Sequence, residues 1–388
     1  MRLTLILSIC CISSVAFADV TTGVQVRPRM EKSFSGNLGA MSGAPNYMTT
    51  QRTRVNVGFG SEGVSGKLSI QDVRAWASES GTLSDASGDM IDFHEAYIEM
   101  GSDTKLRVGR QELSLDEGRI LSNNDWQQQG RSFDGVSLSH KQGEHTLNLM
   151  AARVSDGGSP HDVIVANARL RFGNITLSVP ALIQTNMGIA GNQRGATTDD
   201  MQTMTFGVHV KGGGAVNWRA EGYFQTGDNH SAYLASVNAG YHVSDTVSPS
   251  LSVDMISGDS DHTDSDTGVF SNPYGGIHQY HGAMDMFSDV ATKTLDGGLI
   301  DIALGNKMKG ILGGDVDVSA HYFMLAAENS VGTSGAIGAE VDVVYSRSLA
   351  KGVNLDVGAG VFMDMGDYAG VKNSDIHDWV YVGLDMSI

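Results

Sequence analysis

Ten basic side chains recur at alternate positions within short apolar stretches: Arg27, Arg29, Arg52, Arg54, Lys67, Lys105, Arg107, Arg169, Arg171 and Arg219. Glu95, Glu99, Glu221, Asp301, Asp317, Glu340, Asp342 and Asp356, with Asp385 near the end, are spaced the same way. In an extended chain such residues share one face. Two rows of opposite sign across a watery passage would set up a transverse field that orients polar solutes. The plainer alternative is that neighbouring strands pair their charges, as Glu95, Glu99 and Arg107 can.

Two further groups have chemistry in their residue types. His278, His281 and Asp285 are suited to metal ligation or to acid–base work. In GDSDHTDSDTG, Asp259, Asp261, Asp264 and Asp266 offer oxygen ligands, but their spacing departs from the D-x-D-x-D-G calcium loop. Neither G-x-S-x-G nor H-E-x-x-H accompanies the histidines. No metal site, cofactor or catalytic residue is therefore assigned.

The elements that must position these residues are strands. Apolar and polar residues alternate from GVQVRPRM through RTRVNVGF, KLSIQ and GAEVDVVY to WVYVGLDMSI, and almost nothing follows a helical period. Turn residues divide the pattern into about 18 strands centred near 26, 55, 69, 96, 109, 137, 149, 167, 179, 206, 220, 237, 252, 302, 320, 342, 359 and 383. After every second strand the link is mostly short, as at Ser61-Glu62-Gly63 and Phe172-Gly173-Asn174. The other set is mostly long: about 34–47, 79–90, 115–131, 186–199, 258–295, 326–335 and 365–376. Links near 155–160 and 227–229 are short for their side, and one near 307–314 is long for its side. Short turns on one rim and long loops on the other describe an outer-membrane barrel. A closed sheet of this size is too wide to fill with its own side chains, so the charged face turns inward and the apolar face outward.

The compartment agrees. Residues 1–18, with Arg2, an apolar run and Ala16-Phe17-Ala18, read as an export signal, and the only cysteines, Cys10 and Cys11, lie inside it. The mature chain, 19–388, is expected to be one all-β transmembrane barrel without a disulfide. A net charge of −18 argues against nucleic acid as a partner. Outer-membrane lipid and a small hydrophilic or anionic solute are the expected partners, and alternation alone does not set the oligomeric state.

The segment LRVGRQELSLDEGRILSNNDWQQQGRSFDG, 106–135, leaves a strand, crosses a polar stretch around one tryptophan and returns to a strand. Trp126, Ile120 and Leu121 give it apolar anchors, while Arg110, Glu112, Arg119, Asp125 and Arg131 give it charges. Such a loop can fold inward and narrow a pore.

Gly109-Arg110-Gln111-Glu112-Leu113, the Asp125-Trp126 pair and Gly130 to Gly135, preceded by EAYIE at 95–99, resemble the alginate-export family of outer-membrane channels. SNPYGGIHQYHGAMDMF, 271–287, resembles a second element of that family. The resemblance implies an 18-stranded barrel with a constricted, partly electropositive conduit, used in the namesake for an anionic exopolysaccharide. Leu115-Asp116 departs from the aromatic and glycine expected there. The expected function is passive diffusion of small hydrophilic, anionic or sugar-like solutes, with polysaccharide export, a plugged surface-binding barrel and a rim hydrolase as alternatives.

Overall fold

The computed structural model describes residues 19–33, 46–76, 91–155, 161–185, 202–276, 278–366 and 376–388. The expected export signal and most of the connections expected at 34–47, 79–90, 186–199 and 365–376 lie outside the described residues.

The alternating stretches form eighteen strands: β1 (Asp19–Ser33), β2 (Asn46–Ser61), β3 (Val64–Ala75), β4 (Asp92–Gly101), β5 (Thr104–Gln111), β6 (Phe133–Gln142), β7 (His145–Ser155), β8 (His161–Phe172), β9 (Ile175–Thr185), β10 (Gln202–Gly212), β11 (Val216–Gly227), β12 (His230–Tyr241), β13 (Val247–Ile256), β14 (Leu299–Ile311), β15 (Gly314–Met324), β16 (Ala336–Ala350), β17 (Val353–Asp364) and β18 (Ile376–Ser387). Each strand pairs antiparallel with its neighbours in sequence, and β18 closes on β1. Closure removes the edges at which an open sheet would leave backbone groups unpaired in lipid.

The link expected to be long near 307–314 is a tight turn. Leu312 and Gly313 sit between β14 and β15 with φ of 52° and 79°. Positive φ at both central residues gives the twist that a two-residue hairpin requires. The link between β11 and β12 is equally short, at Asp228-Asn229.

Val55, Ile98, Val108, Val237, Leu251 and Val341 lie on the outer surface and are exposed, while their polar neighbours in sequence turn inward. This apolar band meets the hydrocarbon of the membrane. On the last strand Trp379 and Tyr381 face inward and are buried, and Val380 and Val382 face out. Gly358 on β17 makes room for this arrangement, because a Cβ there would lie 2.1 Å from the ring of Tyr381.

The inner surface is not uniformly polar. Inward-facing Met150, Val163, Val165 and Leu182 on β7 to β9 are buried, and something must cover them.

The outward assignment is open to test. Val237→Arg, near the middle of β12, should lower the unfolding free energy of the refolded barrel in urea by about 2–4 kcal/mol. The adjacent inward substitution Asn238→Arg should cost much less.

Candidate functional site: the lumen and its docked loops

The cover for that apolar patch is the 112–132 connection. Leu115, Ile120 and Leu121 belong to one buried cluster with Met150, Val163, Val165 and Leu182. Burying such side chains contributes about 25 cal/mol per Å², enough to hold a loop that would otherwise be free in water.

Strand register explains the rest of the docking. Arg27 on β1 lies directly opposite Arg52 on β2, and like charges abreast on one face repel. Asp125 resolves this: its Oδ1 accepts from Arg52 Nη1 at 2.8 Å and its Oδ2 from Arg27 Nη1 at 3.3 Å. Arg54 Nη1 stands 3.6 Å from the same carboxylate. Arg29 donates to the Trp126 carbonyl at 2.8 Å, with its guanidinium 4.2 Å from the indole centroid. Across the barrel Lys211 on β10 lies opposite Arg219 on β11. Glu117 accepts from Lys211 Nζ at 2.7 Å and Arg219 Nη1 at 3.2 Å, with His209 Nε2 at 2.8 Å.

The third contact has the opposite sign. Glu221, Ser236 and Asp254 stand abreast on β11, β12 and β13. Arg119, 2% exposed, donates through Nε to Glu221 at 3.0 Å, and through Nη2 to Asp254 at 2.8 Å and Ser236 at 3.2 Å. The Tyr280 ring lies over its guanidinium at 3.5 Å. Burial works against the charged guanidinium, yet Asp254 and Glu221 hold its pKa above the ordinary value.

The 257–298 connection, which carries the short helix α1 (Val290–Thr294), folds onto this loop from the opposite wall. Ser122 N–H donates to the Tyr274 carbonyl and Gly276 N–H to the Gly118 carbonyl, both at 2.8 Å. Asn272 donates to the Arg119 carbonyl, and Arg131 Nη1 to the carbonyls of Tyr274, Gly275 and Ser122. The rings of Trp126 and His278 stack at 3.5 Å with 3° between planes, and Tyr381 approaches the indole edge-on at 5.1 Å.

Several expected residues face the lumen without carrying the opposed charge rows. Lys67 pairs with Glu95, and Lys105 and Arg107 pair with Glu99. Asp301, Glu340 and Asp342 are buried beneath residues 281–284, where Met284 N–H reaches Glu340 and Ala283 N–H reaches Asp342. Asp317 pairs with Lys307 at 3.3 Å, Asp356 accepts from Ser346, and Asp385 accepts from Gln25. Asp301, Glu340 and Asp342 of the acidic wall are therefore covered, while Asp317 is not. Arg52, at 1% exposure, serves the loop and does not face water.

Arg110 departs from its expected place in the constricting loop. β5 extends through Gln111, so alternation turns Arg110 to the outer face with Val108, where it binds Asp134 at 2.7 Å. His281 separates from His278. His278 Nδ1 meets Asp285 at 3.1 Å, while His281 turns toward Asp254 and Asp301. In the acidic stretch, Asp259, Asp261 and Asp264 each accept from the backbone N–H two residues on, a local turn-forming use of these side chains.

Open recesses remain beside the docked loop. One, of about 450 Å³, is lined by Arg169, Arg171, Lys211, Arg219, Glu117 and Trp218, among others. Another, of about 470 Å³, includes Arg54, Lys67, Asn56 and Asp125. Lys211 and Asp254 were not singled out in the sequence, although both have the parity of their inward neighbours His209 and Ser252.

Glu112 reports on the docked state. Burial opposes its charge, but hydrogen bonds from His94 and Asn123 and the charges of His94 and Arg54 bring its pKa down to about 2. Glu117 is lowered in the same way by His209 and Lys211 despite burial. A depressed carboxylate pKa stabilises the docked loop fully above the ordinary value of 4.5, and that stabilisation is lost as the pH falls toward about 2. Iodide quenching of the Trp126 signal, taken as the difference from Trp126→Phe, should stay constant from pH 8 to 5 and rise below about 4.5. A rise at neutral pH would contradict the docking.

Comparison with known proteins places this geometry. Among curated proteins none matches the sequence. The fold resembles the crystal structure of OccK8 (OprE) from Pseudomonas aeruginosa, with a TM-score of 0.67 at 11% identity over 96% of this chain and 98% of that one. OccAB1 from Acinetobacter baumannii gives 0.64 at 14% over 95% and 96%. The outer membrane protein OpdK from Pseudomonas aeruginosa gives 0.64 at 13% over 96% and 99%. At these identities the likeness establishes the barrel alone. The profile of the family described as alginate export matches residues 19–289, most of the chain and both docked loops nearly complete. The chain belongs to the alginate-export family of β-barrel channels in the Gram-negative outer membrane.

Proposed function

We propose that this channel passes small hydrophilic solutes passively and favours anionic or sugar-like ones. The observation that carries the reading is the recess on β8 to β12, where Arg169, Arg171, Lys211 and Arg219 surround the single carboxylate of Glu117. Glu117 is already held by Lys211, Arg219 and His209. Arg171 has Glu144 only at 3.7 Å, with both side chains mostly exposed, and so weakly neutralised. Fixed positive charge on low-dielectric walls concentrates anions and repels cations.

The docked loops bear on solute size. The 112–132 and 257–298 connections meet inside the barrel through backbone hydrogen bonds and the Trp126–His278 stack. An arrangement of this kind favours single small solutes over a polymer. Alginate export is the reading suggested by the family's description, and a polymer would require these contacts to part.

In a planar bilayer with a salt gradient, the wild-type reversal potential should show anion preference. The double substitution Arg169→Gln, Arg171→Gln should move it toward cation preference while leaving a conducting barrel. A reversal potential unchanged by the pair, or cation preference in the wild type, would overturn the assignment.

A further inference from the structure

We infer that the inner wall at β13 and β14 holds a divalent transition-metal ion between Asp254, Asp301 and His281, joining the 257–298 connection to the barrel. The expectation that the chain has no metal site rested on spacing in the sequence, which does not show strand register.

Register is the first observation. Asp254 and Asp301 lie directly opposite each other on adjacent strands, both facing inward and both buried. Two carboxylates abreast away from water repel, and a buried charge without a partner is costly. The like-charge pairs Arg27–Arg52 and Lys211–Arg219 are relieved by the 112–132 loop, but this one is relieved only in part. Arg119 reaches Asp254 and is shared with Glu221. On β16, beyond β15, Glu340 and Asp342, 0% and 2% exposed, add further carboxyl groups.

His281 is the second and independent observation. Its side chain is 9% exposed, and its Nδ1 is buried with no hydrogen-bond partner. That nitrogen lies 3.5 Å from Asp301 Oδ2 and 3.7 Å from Asp254 Oδ2. Donors bound at about 2.0–2.2 Å to one tetrahedral ion stand roughly 3.4 Å apart, so a small contraction brings all three into one shell. The three donor atoms all fall within 4.8 Å of one another.

The surroundings fit an ion as well. His321 Nδ1 contacts both oxygens of Asp301 at 3.0 and 3.1 Å, and Ser236 Oγ donates to Asp254 Oδ1 at 2.5 Å. Such outer contacts orient a ligand set. A cavity of about 390 Å³ lined in part by Arg119, Tyr280, His281 and Asn272 gives a route in. One imidazole with two carboxylates and no thiolate suits Zn²⁺, Mn²⁺ or Fe²⁺, whereas Ca²⁺ favours oxygen donors throughout.

The test is titration of the refolded, chelator-treated barrel with Zn²⁺ and with Mn²⁺ by calorimetry. One ion should bind per barrel. His281→Asn keeps a side chain that tolerates the local φ of 64°, and Asp301→Asn keeps the shape of the carboxylate. Each should weaken binding by about 10–100-fold, while Asp259→Asn with Asp261→Asn should leave it unchanged. Zinc-edge X-ray absorption of the wild-type barrel needs no variant and should show imidazole scattering in a mixed nitrogen and oxygen shell. An absence of stoichiometric binding, binding that survives both substitutions, or an oxygen-only shell would overturn the site.

Discussion

Like charges placed abreast on the inner wall are the constraint around which the interior is organised. In a closed barrel each inward position has fixed cross-strand neighbours, so Arg27 must face Arg52 and Lys211 must face Arg219. Alone, each pair would repel across a short gap. The 112–132 connection brings Asp125 to the first pair and Glu117 to the second, and Arg119 to the carboxylates of Glu221 and Asp254. Three charges within nine positions of one loop match three places on the wall. Wall and loop are complementary, and each is unfavourable without the other. Leaving a buried pair half-made costs about 3–5 kcal/mol, so Arg119 ties the loop position to the stability of the lumen.

This complementarity changes what the charged rows mean. A simple pair of opposed rows would leave arginines on one side and carboxylates on the other, both facing water. Here much of the first row is used to hold the loop, and Asp301, Glu340 and Asp342 lie beneath the 257–298 connection. The cluster at Arg169, Arg171, Lys211 and Arg219 is among the charges that still line an open recess. The proposed preference for anions rests on what docking leaves uncovered, and not on the composition of the chain, which is acidic overall.

The strands were legible because their signal is local. Alternation and turn residues recur every ten or so positions, and the eighteen centres read from them all fall within observed strands. The docking was less legible because it depends on contacts across the barrel. Arg119 and Glu221 are 102 positions apart, and no local pattern links them. One signal was present in the stretch Val163-Ile164-Val165, where alternation fails because both faces are apolar. Ile164 meets lipid while its neighbours meet the loop, so a break in alternation marked the anchor. Arg110 was misplaced for the converse reason, since β5 continued into a segment whose polarity suggested a loop.

The proposed narrowing of the conducting path by the 112–132 loop can be tested from within that path. Because Cys10 and Cys11 are the only cysteines in the sequence, Gln127→Cys in a chain that begins at Asp19 places a single thiol at an exposed position of the loop and keeps the Asp125 contacts. Single-channel current through this variant should fall in discrete steps when a charged, membrane-impermeant thiol reagent is added. Confirmed labelling of the thiol with no change in current would contradict the narrowing, because residue 127 would then lie away from the path that ions take.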